Sequence, residues 1–198
     1  SELDGVEGWA NGQKDYDDLD EMWFYFNTST GKKVTGGSDG AASKTINGNK
    51  YIFDEHGVMV SEWSTDDVSS DSKYYNDQTQ GWLERKGWIW AVPSADMNED
   101  DNENDTSRWF YVGSDGKVTA DKARRINSKW YIFDEVGIMK SGLVLLTKDR
   151  IGADAKIWDG AEDAGVDGYA DGVLSTEYYE AANIYDLDTT NLYYFSGS

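Results

Sequence analysis

The chain has 198 residues, of which 38 are acidic and 18 are basic, so its formal net charge at pH 7 is −20. Such a charge repels nucleic acid and anionic membranes, and the absence of cysteine excludes disulfides and thiolate metal sites. Aromatic residues form 14% of the chain, with nine Trp and thirteen Tyr, so we expect a core built largely from rings.

The first predicted strand is the aromatic run Met22-Trp23-Phe24-Tyr25-Phe26, which begins the first repeat of the chain. Alternate side chains of a strand point to opposite faces, so both faces of this strand are aromatic. A polar turn at 27–31 leads to a short partner strand at 33–35. The pattern predicts a β-hairpin over 22–35.

A second segment occurs twice, at 46–59 and again at 126–139. Each copy has a polar turn, a short aromatic and β-branched strand, and a further turn that ends in Gly57 or Gly137. Asn47-Gly48 is typical of the tight turn in a β-hairpin. Because one hairpin buries too little surface to stand alone, the repetition predicts hairpins stacked side by side.

Two insertions interrupt the repeats, at about 64–108 and about 143–191. The first contains segment 81–90, predicted as another hairpin, and the acidic segment 96–105, predicted as a loop. The second begins with a predicted buried strand at 144–146, and we expect a long Asp-rich loop after it, with one helical turn near 175–182.

The order of these elements defines three cycles that begin near residues 22, 108 and 191, the third being truncated. Repetition at this spacing, with two hairpins in each cycle, is typical of a solenoid. We therefore predict an all-β fold, a stacked β-hairpin solenoid with long loop insertions, that forms a single repeat-built domain over 1–198. No apolar run is long enough to span a bilayer, and we expect the chain to be a fragment of a longer protein.

The repeats resemble the cell-wall-binding or choline-binding repeat family, which also includes the glucan-binding repeats of glucansucrases and the repeats of large clostridial toxins. The resemblance lies in an aromatic triplet, a turn with Gly and a Met near a Gly-Trp pair. It is carried by Asn47-Gly48 to Met59-Val60-Ser61-Glu62-Trp63, by Trp23-Phe24-Tyr25-Phe26-Asn27 to Val34-Thr35-Gly36, and by Trp109-Phe110-Tyr111 to Met139-Lys140-Ser141-Gly142.

This resemblance implies a non-catalytic, extracellular binding module at the cell surface of a Gram-positive bacterium. The chain departs from the family pattern where Gly142-Leu143 replaces Gly-Trp and where the two insertions separate the repeats. A regular series of equivalent choline sites is therefore not implied.

The aromatic residues divide into a predicted core and a predicted binding platform. We assign the strand aromatics to the core: Trp23, Tyr25, Tyr51, Phe53, Trp109, Tyr111, Tyr131 and Phe133. Exposed ring faces stack on sugars and on quaternary ammonium groups. Six tryptophans in Gly-flanked or polar segments are the predicted ligand-binding platform: Trp9, Trp63, Trp82, Trp88, Trp90 and Trp158.

The sequence gives weak signals for a metal or for catalysis. Asp96, Asn98 and Asp100 alternate as oxygen ligands of a calcium loop do, but Asp101 stands where such a loop needs Gly. We expect this segment to be a solvated insertion and predict no metal cofactor, with calcium as the alternative. His56 is the only histidine and has no nucleophile motif around it, so we expect no catalytic residues.

Three functions from different classes remain open. The first is binding of a neutral polysaccharide or oligosaccharide, foremost an α-glucan such as starch, through exposed Trp and Tyr. The second is a choline or teichoic-acid anchor that attaches the parent protein to the cell wall. The third is a structural spacer or adhesin without a small-molecule site. The net charge of −20 favours a choline cation, but the broken spacing of the repeats weakens a choline site between consecutive repeats.

Overall fold

The computed structural model describes residues 16–37, 40–64, 71–158, 160, 168–175 and 191–197, and strands dominate its regular structure. The predicted all-β fold of antiparallel hairpins is confirmed. The strands are β1 (Ala42–Ile46), β2 (Asn49–Phe53), β3 (Glu62–Ser64), β4 (Lys73–Tyr75), β5 (Gly87–Ala91), β6 (Arg108–Val112), β7 (Lys122–Ile126), β8 (Lys129–Phe133), β9 (Met139–Lys140), β10 (Gly142–Leu145), β11 (Tyr169–Ala170), β12 (Val173–Leu174) and β13 (Leu192–Phe195). A 3-10 helix at Tyr16–Asp18 and the helix α1 at Glu99–Glu103 complete the named elements.

The described part of the chain divides into two compact units. Unit 1 takes its residues from 1–87, 92–107 and 112–118, and unit 2 takes the others. Unit 1 contains the sheets β1–β2 and β3–β4. Unit 2 contains the pair β5–β6 except Gly87 and Val112, the sheet β7–β8–β9 and the sheet of order β11–β12–β10–β13. The single domain over 1–198 stays a prediction.

The repeated segment forms the same hairpin in both copies. Strand β1 pairs with β2, and β7 pairs with β8, over five residue pairs each and in equivalent register. The turn residues Asn47 and Gly48 have φ of 50° and 87°, and Asn127 and Ser128 have φ of 48° and 70°. Two successive positive φ angles match the right-handed twist of the strands on either side. The predicted hairpin repeat is therefore confirmed.

A carboxylate closes the second turn of each repeat. Oδ1 of Asp54 accepts a hydrogen bond from the backbone N–H of Val58 at 2.8 Å. Oδ1 of Asp134 accepts from the backbone N–H groups of 136–138 at 3.2, 2.9 and 2.8 Å, and its Oδ2 lies 3.1 Å from Nζ of Lys140. These bonds satisfy turn amides that would otherwise lose their water on burial.

The predicted hairpin within 81–90 is wrong. Strand β5 pairs with β6 instead, and residues 82–85 form no strand. Leu83 is 6% exposed and packs with Ile52, Val60 and Tyr75 in the core of unit 1, and its N–H donates to the carbonyl of Lys50 at 2.8 Å. Burial of Leu83 in this core therefore directs the segment away from a local hairpin.

Part of the acidic segment 96–105 is a helix, so the prediction that this segment is a loop is corrected. Residues Glu99–Glu103 form α1, and the side chain of Asn98 accepts a hydrogen bond from the backbone N–H of Asp101 at 2.9 Å. An Asn cap followed by acidic residues is favourable because the first turn of a helix carries unpaired N–H groups and partial positive charge. Met97, at 6% exposure, anchors the segment to the protein interior.

Strand β10 separates two apolar clusters of unit 2. Val144 and Leu146 lie in a cluster with Ile132 and Phe195, while Leu145 lies in a second cluster with Tyr169 and Leu174. Alternate side chains of a strand point to opposite faces, which explains this division. The predicted buried strand at 144–146 is confirmed, while the helical turn expected near 175–182 falls almost entirely outside the described residues.

Replacing Asp134 with Ala should lower the free energy of unfolding by about 2–4 kcal/mol, because three backbone N–H groups lose a charged acceptor. Urea denaturation followed by tryptophan fluorescence measures this change. Glu135→Ala is the matched control, since Glu135 is the exposed neighbour in the same turn, and it should alter stability by less than about 0.5 kcal/mol. Equal effects of both substitutions would contradict the role of the carboxylate.

The free energy of unfolding should decline at alkaline pH because Tyr74 loses its proton. Burial, with Glu62, Asp77 and Glu84 nearby, raises the pKa of Tyr74 to about 12. An unfolded tyrosine loses its proton near pH 10, so this stabilisation is complete below about pH 10 and is lost as the pH rises through about 12.

Urea midpoints measured between about pH 9 and pH 12 should fall for the wild type and fall less for Tyr74→Phe, which keeps the ring but cannot ionise. Tyr194→Phe is the control, since Tyr194 is 70% exposed. A Tyr74→Phe curve that falls as steeply as the wild type would refute this assignment.

Candidate functional site

The sheet β5–β6 presents one apolar and one aromatic face. Side chains alternate along each strand, so the buried Ile89 and Phe110 lie on one face. The opposite face carries aromatic rings that are half-buried or exposed. We name this set the aromatic face, and it consists of Trp88, Trp90, Trp109 and Tyr111.

Trp88 lies at the centre of the aromatic face. Its ring centroid is 6.2 Å from that of Trp109, 5.2 Å from Tyr111 and 4.8 Å from Tyr131 of β8, all in edge-to-face geometry. Phe133 of β8 approaches to 6.0 Å. Edge-to-face packing places the positive edge of one ring against the negative face of another, which is attractive. Trp88 therefore fixes the positions of the rings around it.

Trp90 and Trp109 form the open end of the aromatic face. Trp90 is 57% exposed, and its centroid lies 4.9 Å from that of the half-buried Trp109. Contact with Trp109 limits the rotation of the exposed indole, and a pre-ordered ring loses little entropy when a ligand binds. The arrangement offers a fixed apolar surface to a flat ligand.

A cation of the chain occupies the other end of this face. The guanidinium carbon of Arg124 lies 4.7 Å from the centroid of Tyr111. Nη1 of Arg124 donates a hydrogen bond to Oγ1 of the buried Thr119 at 2.7 Å. The guanidinium is attracted by the negative face of the ring and held there by the hydroxyl.

Of the other tryptophans predicted as a platform, Trp63, Trp82 and Trp158 are described, and each has other contacts. Trp63 is 2% exposed, and its Nε1–H donates to the carbonyl of Val92 at 2.7 Å, so it belongs to the core and the prediction for this residue is corrected. Trp82 is half-buried, and its Nε1–H donates to Glu84 at 3.1 Å. Trp158 is half-buried against an apolar cluster, and Trp9 lies outside the described residues.

Sequence reasoning missed exposed aromatics at the start of the first repeat. Trp23, Phe24 and Phe26 are 48%, 39% and 55% exposed, although Trp23 was expected in the core. Tyr25 is half-buried, with its ring 6.3 Å from that of Phe53. The run is aromatic on both faces of the strand, and that pattern was the available signal that part of it is uncovered.

Metal-binding geometry is lacking in the part of the chain that the structure describes. There, no three or more His, Cys, Asp or Glu side chains are grouped so that they could hold a metal ion. Asn98, the middle residue of the calcium-loop pattern, caps α1 instead. Within the same residues, no helix has the length and apolar character needed to cross a membrane.

Comparisons with known proteins place this chain beside glucosyltransferases. No protein-family model matches it. Glucosyltransferase-S of Streptococcus downei is 30% identical over 123 residues, which are 62% of this chain and 7% of that protein. Glucosyltransferase-S of Streptococcus mutans serotype c is 26% identical over 191 residues, which are 96% of this chain and 10% of that protein. The chain thus spans a tenth or less of the length of these relatives.

Among solved structures, similarity is found to CbpJ from Streptococcus pneumoniae TIGR4. The match has 19% sequence identity and a TM-score of 0.47, and it covers 77% of this chain and 42% of that chain. CbpF in complex with ipratropium matches with 20% identity and a TM-score of 0.44 over 72% of this chain and 39% of that chain.

Substitution of the two tryptophans of β5 should distinguish the ring that stabilises the fold from the ring that is exposed at the surface. Trp88→Ala should lower the free energy of unfolding by about 2–4 kcal/mol, because four neighbouring rings lose their central contact. Trp90→Ala is the matched control on the same strand face and should cost less than about 1.5 kcal/mol. Guanidinium denaturation measures both values, and a reversed order would refute the central position of Trp88.

Proposed function

We propose that this chain, which is built from repeats of the choline- and glucan-binding repeat superfamily, binds a neutral glycan and catalyses no reaction. The ligand class that we propose is an α-glucan, such as starch or a related glucose polymer. The binding surface is the open end of the aromatic face.

The observation that carries this proposal is the exposed indole of Trp90 held against Trp109. Trp90 is 57% exposed, and the ring centroids are 4.9 Å apart. The C–H groups on one face of a glucose ring form an apolar surface, which stacks on an aromatic ring of this kind. Two adjacent indoles fixed by the sheet offer such contacts without a large ordering cost.

The relatives support glucose as the sugar. Two proteins named Glucosyltransferase-S match this chain, and a glucosyltransferase by its name transfers glucosyl units. A region that binds a glucose polymer would keep substrate or product near such an enzyme. Since this chain spans at most a tenth of these relatives, we propose that it is the binding part of a longer protein.

The proposed location is the outside of a Gram-positive cell. Both relatives are proteins of streptococci, which are Gram-positive bacteria. The net charge of −20 is compatible with this ligand, because a neutral sugar carries no charge for it to repel.

A choline or teichoic-acid anchor is the second candidate, because an aromatic cluster is also the usual binding site for a quaternary ammonium. Trp88, Tyr111 and Tyr131 make such a cluster, with centroid distances of 5.2 and 4.8 Å from Trp88. We favour the neutral glycan, because Arg124 already occupies the face of Tyr111.

Trp90→Ala should weaken α-glucan binding by about 1–3 kcal/mol, since the exposed aromatic anchor of the proposed surface is lost. Affinity electrophoresis through gels that contain starch, dextran or pullulan measures this change. Tyr194→Ala is the control, because Tyr194 is a 70% exposed aromatic residue of β13 that is not part of the aromatic face.

The dependence on salt gives a second readout of the same proposal. Binding of a neutral sugar should change little with ionic strength, whereas binding of a cation to a protein of charge −20 should weaken as salt screens the attraction. If the wild type is retarded by none of the three glucans, the proposal fails. Equal retardation of Trp90→Ala and wild type would exclude the open end of the aromatic face as the glycan-binding site.

A further inference from the structure

We infer that Arg124 and Lys44 are specificity-determining residues that exclude quaternary ammonium ligands from the ring faces of Tyr111 and Tyr25 in the two repeats. Each places a cation of the chain on the tyrosine ring face that such a ligand needs. This inference rests on the proposed function, because it explains how a member of a superfamily that binds choline or glucan is restricted to the neutral ligand.

The two cations occupy equivalent places. Tyr25 and Tyr111 have the same position in their repeats, two residues after Trp23 and Trp109. Nζ of Lys44 lies 5.5 Å from the centroid of Tyr25, and the guanidinium carbon of Arg124 lies 4.7 Å from that of Tyr111.

Strand pairing confirms that Lys44 and Arg124 correspond. In β1, Lys44 pairs with Tyr51, and in β7, Arg124 pairs with Tyr131. The side chains differ in length and shape, and they share their positive charge. A positive side chain over the tyrosine ring is thus the property that the two repeats have in common.

Arg124 is held in place by Thr119, a residue that is itself hydrogen-bonded to Tyr111. It donates to Oγ1 of Thr119 at 2.7 Å, and the backbone N–H of Thr119 donates to the carbonyl of Tyr111 at 2.8 Å. Thr119 is 2% exposed, so its hydroxyl is sheltered from competing water. A ligand that displaces Arg124 has to break this bond and leave a buried hydroxyl without its donor.

The exclusion is electrostatic and local. A quaternary ammonium gains affinity from ring faces, and a guanidinium that already lies on the ring removes that gain and repels the second cation. The protein as a whole attracts cations, since its net charge is −20. Selection against a cationic ligand therefore has to come from a positive group at the site itself.

A neutral sugar escapes this exclusion. The exposed ring is Trp90, whose aromatic partner is Trp109. Arg124 lies over Tyr111, whose ring packs against Trp88, whereas the ring of Trp90 packs against Trp109. The cation closes one end of the aromatic face and leaves the other end open.

Titration with tetramethylammonium chloride, followed by tryptophan fluorescence and calorimetry, tests the inference. Arg124→Gln should bind tetramethylammonium at least tenfold more tightly than the wild type, whereas Arg124→Lys should behave as the wild type does. Arg125→Gln is the matched control, because it removes the same charge from an exposed residue on the opposite face of β7. Choline should reproduce each result.

The inference is overturned if the wild type binds tetramethylammonium as tightly as Arg124→Gln, or if Arg125→Gln shows the same gain. Arg124→Met keeps the aliphatic stem and replaces Arg124→Gln if that variant does not fold. If both variants unfold, Arg124 stabilises the fold instead of selecting the ligand, and the inference is wrong.

Retardation of the wild type in starch, dextran and pullulan gels is measured in parallel. Retardation without any gain of tetramethylammonium binding in Arg124→Gln overturns this inference and leaves the proposed function intact. A gain in Arg124→Gln with a wild type that is not retarded supports the exclusion of cations and overturns the proposed function.

Discussion

The packing of Trp88 against four rings is the interaction on which the candidate site depends. Tyr111 and Trp109 belong to β6, while Tyr131 and Phe133 belong to β8, so one indole joins two sheets of unit 2. A two-stranded sheet is only marginally stable in water, and these contacts supply the burial that β5–β6 lacks by itself. The exposed indole of Trp90, two residues along the strand, packs against Trp109, whose ring is in turn held by the half-buried Trp88.

The repeated hairpins could be predicted from the sequence because their signals are local. The turn dipeptides 47–48 and 127–128 determine the register of each hairpin, and both have the expected positive φ angles. The pairing of β5 with β6 joins segments separated by α1, and no local pattern specifies such a partner. Burial was similarly hard to assign. Alternation shows that Trp23 and Tyr25 share a face, but only tertiary packing decides which faces are covered. In the structure, Trp63 is buried and Trp23 is not.

Charge acts on two scales in this protein. The sum over the chain, −20, sets a long-range field that draws cations towards the surface. Near the rings, one positive side chain lies about 5 Å from each tyrosine centroid. At this distance its interaction with a ligand is stronger than that of the screened field of the whole chain. The sign of the net charge is therefore opposite to the sign of the two side chains that lie on the tyrosine rings.

The route of the chain between the two units has a consequence for modularity. After Ala91 the chain leaves unit 2, forms α1 within unit 1 and returns at Arg108. No single peptide bond separates the units, so a fragment that ends anywhere in this region removes a segment from one of them. Gene duplication or recombination that keeps both units intact would have to transfer them together. The smallest heritable piece with both units whole is thus the interleaved pair.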